Sequence, residues 1–520
     1  MFEDDTVAAL LTRGAGEAPA IGAPGHQALT YEQLRKLVEA SIGQLNSLQI
    51  GRHSRVALVL PNGPQTAAAF VALAAGTTTA PLNPAYRAEE FEFYLTDLKP
   101  QALVVQEGVP SSARDVAAKL GLLVIDLHVE PGAPAGAFAL KPALPSTAPN
   151  VLAASNRGMA AAEDLALVLH TSGTTSRPKI VPLTQRNIVS SARHIAATLE
   201  LVTTDVCLNI MPLFHIHGLV GAVLSSLSAG AQVSCAPDSS PVKFFGWLGD
   251  VKPTWYTAAP SLHRAILSRA ARHAQVTEHH RLRFIRSGSA ALRPELMESL
   301  EQTFRVPVLQ TYGMTEASHQ VACNPLPPRV RKPGSVGPAG GPEIAIMDED
   351  GRLLPRDAAG EVVIRGPSVT AGYEGNPEAN KEAFIDGWFR TGDQGRLDSD
   401  GYLFLTGRFK ELINRGGEKV SPLEIEAVLM NHPDVQQVVS FAVPDEVHGE
   451  EVAAAVVRRE GSSLTDRELR RYAAVHLADF KVPRKILFVD EIPKGATGKL
   501  QRIGLAARLG LVTSSETITL

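Results

Sequence analysis

The stretch Leu169-His170-Thr171-Ser172-Gly173-Thr174-Thr175-Ser176-Arg177-Pro178-Lys179 decides the reading of this chain. It closes the apolar run Leu165–Leu169, which reads as a buried strand. Small residues surround Gly173, with five hydroxyls and a terminal lysine. Small residues let backbone N–H groups approach an anion closely, and hydroxyls and lysine add donors and charge. This is the composition of a phosphate cradle. The P-loop spacing GxxxxGK[ST] is absent. A solvated Ser/Thr turn has the same composition, so the stretch needs partners elsewhere.

Three further stretches supply them. In Gln310–Ser318, Tyr312 offers a flat face to a base, Thr315 a hydroxyl to a phosphate and Glu316 a hard oxygen to Mg2+. In Trp388–Asp393, a buried Asp393 after a Thr-Gly turn suits the two hydroxyls of a ribose. In Ile492–Arg502, Gly495 and Gly498 make a mobile loop ending at Lys499. A lysine on such a loop can neutralise charge that develops as pyrophosphate leaves. Each stretch alone also reads as an ordinary turn, cap or surface loop.

Outward from these stretches, strand and helix patterns alternate. Thr30 and Gln33 form a capping box ahead of Leu34, Leu37, Val38, Ile42 and Leu45 at helical spacing. Strands are expected at Val56–Leu60, Ala102–Val105, Leu122–Ile125, Val206–Ile210 and Arg283–Ser287, in parallel βαβ units. The Pro/Ala/Gly-rich segment from Pro131 to Asn150 reads as an irregular crossover. Beyond residue 330 the texture changes to short antiparallel pieces such as Glu343–Met347 and Glu361–Arg365. After Gly407-Arg408-Phe409-Lys410 the order is helix, strand, strand, helix, strand, a compact α+β unit.

The 520 residues, 44% hydrophobic, suffice for two to four domains. A net charge of −4 with no basic arm argues against a nucleic-acid partner. No apolar run reaches the roughly 18–20 residues of a membrane span. The three cysteines lack metal-ligand spacing, and the acidic start does not read as a signal peptide. The expected location is the cytoplasm.

Taken in order, TSGTTSRPK, YGMTE, RTGD, GRFKELINRGGEKVSP and PKGATGKLQR resemble the signature set of the adenylate-forming superfamily. That superfamily includes acyl-CoA synthetases, luciferases and peptide-synthetase adenylation domains. The resemblance spans essentially the whole chain. It implies an α/β fold with a large N-terminal domain, residues 1–408, of layered mixed sheets and helices with a distorted β-barrel portion. A small mobile α+β C-terminal domain, residues 409–520, then carries the catalytic lysine. The implied cofactors are ATP, Mg2+ and coenzyme A.

By resemblance, Thr171, Ser172, Gly173, Thr174, Thr175 and Lys179 bind the ATP phosphates. Gly288, Ser289, Ala290, Gln310, Thr311, Tyr312 and Gly313 frame adenine. Thr315 contacts the α-phosphate and Glu316 holds Mg2+, while Asp393 and Arg408 hold the ribose. Lys410 is the hinge, Lys499 the adenylation lysine, and Gly416 and Gly417 line the pantetheine path. Where many members carry glycine after the Pro-Lys of the first loop, this chain has Ile180, so the loop's exit is expected to be stiffer.

The implied acid pocket is polar: His215, His217, His263, Ser289, His319 and Gln320 fall in or near it. A long-chain pocket would be apolar. HTSGTTSRPK, MPLFHIHGL, YGMTEASHQ and NPLPP resemble the oxalate–CoA ligases. The implied substrate is a small polar acid, oxalate first, with His215, Ser289 and His319 as candidates for its distal carboxylate. An aryl- or medium-chain acyl-CoA ligase, or an adenylation enzyme loading a carrier protein, remain alternatives.

Overall fold

A computed structural model describes residues 4–143, 156–171, 178–493, 500 and 502–511. The chain forms two compact units. The larger comprises residues 1–171, 180–344 and 364–389, the smaller residues 172–179, 345–363 and 390–520. The division runs inside the strands Ala359–Arg365 and Trp388–Leu397.

The larger unit holds two large sheets. One has the order His319–Cys323, Val308–Met314, Phe284–Ser287, Trp255–Ala258, Val206–Asn209, Gln232–Cys235, Pro19–Ala23, His26–Thr30. Its outermost pairings are antiparallel and the rest parallel. The other runs Ala139–Pro142, Leu123–His128, Ala102–Gln106, Arg55–Val59, Thr78–Pro81, Leu165–His170, Ile180–Thr184. Its inner pairings are parallel as well. Parallel strands are covered on both faces, which is why they read as short continuous apolar runs.

Helix Pro64–Ala74 is the layer between the sheets. It contacts Thr78–Pro81 in one and Pro19–Ala23 and Gln232–Cys235 in the other. Every residue from Thr66 to Ala74 is buried. A helix hidden all round must be apolar all round. Helix Tyr31–Ser47 carries the expected capping box, and Leu34, Val38, Ile42 and Leu45 are its buried face.

In the smaller unit, Val435–Asp445 and Gly449–Arg458 form a long antiparallel hairpin. Ile413–Arg415 and Glu418–Val420 extend that sheet, and Lys485–Phe488 runs parallel to Gly449–Arg458. Helices Pro422–Leu429 and Asp466–His476 pack Ile425, Leu429, Leu469 and Ala473 against Val438 and Val456.

Two expectations change. The crossover expected to be irregular contains the edge strand Ala139–Pro142, paired antiparallel to Leu123–His128. Asp393 follows no turn: it lies inside strand Trp388–Leu397, which passes through Gly392 at φ +73°. Among the described residues no helix is long and apolar enough to cross a membrane.

Candidate active site

In an open parallel sheet, ligands bind beyond the carboxyl ends of the strands. Four adjacent strands of the eight-stranded sheet deliver the expected residues there. Val206–Asn209 leads to His215 and His217, and Trp255–Ala258 brings Thr257. Phe284–Ser287 leads to Gly288, Ser289 and Ala290. Val308–Met314 carries Gln310, Thr311, Tyr312 and Gly313 and leads to Thr315 and Glu316.

A polar chain runs inward from this edge. Ser289 is exposed and held at φ +68°. Its Oγ lies 2.8 Å from Nδ1 of His217, whose Nε2 lies 2.6 Å from Oγ1 of Thr257. His217 is buried and stacks on His319, ring centroids 4.8 Å apart. His319, also buried, accepts at Nε2 from Arg286 Nη1 at 3.1 Å. Arg286 Nη2 donates to Gln320 Oε1 at 3.2 Å. Since a guanidinium only donates, His319 Nε2 bears a lone pair and the ring proton sits on Nδ1.

His319 has φ +106° and follows Ser318 at +51°. Such backbone is costly for residues with a Cβ and collects at functional sites. Gly313 makes it possible: a Cβ there would lie 1.6 Å from His319 O. The side chains of Ser287 and Ser318 are buried without a hydrogen-bond partner among the described residues. His215 stands at the N-cap position of the short helix Ile216–Gly218, its ring centroid 4.5 Å from that of Phe214. His263 belongs to the packing behind the sheet. It is fully buried against Tyr256, whose hydroxyl lies 3.2 Å from its Nδ1, and burial pushes it down to about 4.

Glu316 is buried in the turn Thr315–Ala317. Its Oε1 accepts from Tyr373 OH at 2.9 Å, and its backbone oxygen accepts from Thr370 N at 2.7 Å. Thr171 follows strand Leu165–His170, and Lys179 precedes Ile180–Thr184, the antiparallel partner of that strand. The cradle stretch therefore joins two paired strands at His170 and Ile180. Ile180 is buried and its carbonyl accepts from Glu374 N at 3.0 Å, so the exit is anchored. Ser172, Gly173, Thr174 and Thr175 lie outside the described residues, as does Lys499.

In the smaller unit Asp393 pairs across a hairpin with Arg408, Nε to Oδ1 2.6 Å. Glu361 braces the approach, accepting from Arg390 Nε at 2.7 Å and Gly392 N at 3.0 Å. Lys410 is exposed in the turn Phe409–Glu411. Gly416 and Gly417, at φ +59° and +96°, close a two-residue hairpin between Ile413–Arg415 and Glu418–Val420. That turn type requires two positive φ values, which glycine supplies without strain.

Sequence reading passed over Tyr373, Glu361 and Arg286. Arg286 had a signal: a charge inside the run Phe284-Ile285-Arg286-Ser287, where a doubly covered strand should be apolar.

The AMP-binding enzyme family matches residues 11–374, and the AMP-binding enzyme C-terminal domain matches residues 424–499. The oxalate–CoA ligase of Arabidopsis thaliana is 45% identical over 509 residues, covering 96% of this chain and 98% of that protein. The oxalate–CoA ligase of Saccharomyces cerevisiae is 41% identical over 87% of this chain and 86% of its own. The crystal structure of ATP-bound MatB from Rhodopseudomonas palustris has a TM-score of 0.85 at 30% identity, covering 98% of this chain and 99% of that one. The chain belongs to the AMP-binding enzyme family and is an ATP-dependent acid–CoA ligase.

Proposed function

We propose that the acid is oxalate, activated as oxalyl-adenylate and transferred to coenzyme A. The carrying observation is the polar chain that runs from exposed Ser289 inward through buried His217 and His319 to Arg286, set where a fatty acid would need apolar walls. The two oxalate–CoA ligases at 45% and 41% identity support the same reading.

In this reading Thr171–Thr175 and Lys179 cradle the phosphates, and Gly288–Ala290 with Gln310–Gly313 frame adenine. Asp393 takes the ribose hydroxyls, its carboxylate oriented by Arg408. Glu316 fits Mg2+: it is a hard oxygen donor, buried, and turned by Tyr373. Mg2+ bound with the nucleotide would neutralise phosphate charge. Thr315 contacts the α-phosphate and Lys499 stabilises charge as pyrophosphate departs. His215, Ser289 and His319 face the distal carboxylate. No nucleophilic side chain is needed, since the substrate carboxylate attacks phosphorus and the CoA thiol then attacks the carbonyl. The chain's work is positioning and electrostatics.

We further assign the functional domain boundary to Arg408/Phe409, with Lys410 as hinge and Gly416 and Gly417 on the pantetheine path. A cytoplasmic location suits three cysteines that are all free and buried.

The test is pyrophosphate release across oxalate, malonate, acetate, coumarate and octanoate. Oxalate is expected to give the highest kcat/KM. Turnover of octanoate without oxalate would overturn the reading.

A further inference from the structure

Arg286 is fully buried at the end of a central strand, and no carboxylate pairs with it among the described residues. Its hydrogen bonds go to His319 Nε2, Gln320 Oε1 and, at 3.5 Å, Thr311 Oγ1, all uncharged acceptors. Its Nε has no partner among the described residues. Besides His319, the ionisable groups that face it are the thiols of Cys323 and Cys207. Burial pushes Cys323 up to about 11 and raises Cys207 further from ionisation, so neither supplies an anion. Burial also lowers the guanidinium's own pKa, but arginine starts so high that it keeps its charge.

A buried charge is costly unless something pairs with it. The surroundings hold this one firmly. Gln320 Nε2 donates to Gly340 O at 2.8 Å and Thr198 Oγ1 at 3.2 Å, which fixes Oε1 toward Arg286. Gly221, in the π-helical turn Leu219–Leu224, leaves the space: a Cβ there would lie 2.6 Å from His319 Nε2 and 3.2 Å from Arg286 Nη1. His319 stands between Arg286 and His217, and His217 reaches the exposed rim at Ser289.

We propose that Arg286 is the positioning residue that sets charge specificity: acting through His319 and Gln320, its uncompensated guanidinium favours an acid with a second negative charge over a monoanion of equal size. The inference rests on the dicarboxylate reading of the acid pocket. His319 is held neutral because its Nε2 must accept, so the fixed positive charge is that of Arg286. A unit charge across an imidazole, roughly 8 Å away, is worth roughly 30-fold at an effective dielectric constant near 20.

The experiment compares oxalate with glycolate, by pyrophosphate release without CoA, in wild type, Arg286→Met and Arg286→Lys. In Arg286→Met the oxalate-to-glycolate ratio of kcat/KM should fall roughly 30-fold. The change should sit in the oxalate KM, with the KM for ATP unmoved. Arg286→Lys, which keeps the charge, should restore most of the ratio. Arg286→Met removes an unpaired buried charge but leaves His319 Nε2 and Gln320 Oε1 without their donor, so the two effects oppose each other and the variant should still fold. Failure of Arg286→Met to fold, or equal loss for both acids, would make Arg286 structural and overturn the proposal. A wild type preferring oxalate, with the ratio intact in Arg286→Met, overturns the Arg286 inference alone. A wild type preferring glycolate overturns the oxalate reading first and this inference with it.

Discussion

Arg502 donates to Glu411 across 91 positions of sequence, Nη1 to Oε2 2.7 Å. The same guanidinium grips Glu426, Nη2 to Oε2 2.8 Å and Nε to Oε1 3.1 Å. Glu411 adjoins Lys410 and Arg502 lies three positions beyond Lys499. The cluster is largely buried, each side chain no more than 17% exposed.

Arg502→Ala would strand two acidic groups in that cluster. Loss of one partner of a buried pair costs about 3–5 kcal/mol. Urea unfolding followed in the smaller unit should register that loss, and pyrophosphate release should fall with it. An unchanged unfolding midpoint would contradict the pairing.

Tyr373→Phe removes one hydroxyl from Glu316 and leaves the ring in place. Partners that orient a metal-binding carboxylate are worth about 10–100-fold in affinity or activity. The Mg2+ concentration for half-maximal activity should therefore rise about tenfold. Equal Mg2+ dependence in variant and wild type would separate Tyr373 from the metal.

His263 predicts an acid-sensitive fold. Its folded-state pKa is pushed down to about 4, against 6.5 in an open chain. Below 6.5 the unfolded chain binds the proton more readily, so stability falls as pH drops from 6.5 toward 4. The full effect is about 3 kcal/mol. His263→Leu should flatten that limb of the stability–pH curve, whatever its effect at pH 8. A limb of unchanged slope would refute it.

Lys499→Ala tests the adenylation role. Removing one group that stabilises developing charge costs about 10²–10³ in rate. Pyrophosphate release should fall by that much while ATP still binds, as read by calorimetry. Retained activity would sink the assignment.

Local signals were the legible ones. The capping box at Thr30 and Gln33 acts over three residues, so it declares its helix from the sequence alone. The apolar runs of the inner strands, and the stretches around Glu316 and Asp393, were equally visible. What escaped depends on distant partners. Ser289 and His217 stand 72 positions apart, and either can occupy an ordinary turn. Strand His319–Cys323 has two polar residues in five, and its place follows from pairing Met314 with His319 and Gly313 with Gln320. Asp393 stood out in the sequence as a candidate, but the brace at Glu361, 32 positions back, did not.

Helix Pro64–Ala74 gauges the larger unit. Five of its eleven residues are alanine, so methyl groups set much of the spacing between the sheets that sandwich it. One sheet ends in His170, just before the stretch Thr171–Lys179, and the other in Ser287 and Met314, just before Ser289 and Thr315. A larger side chain at Ala68 or Ala72 would wedge the layers apart. In the proposed reading, the reach from phosphate to acid would then change without any of the proposed site residues being replaced. The geometry of the proposed chemistry is thus written into a helix that supplies none of its residues.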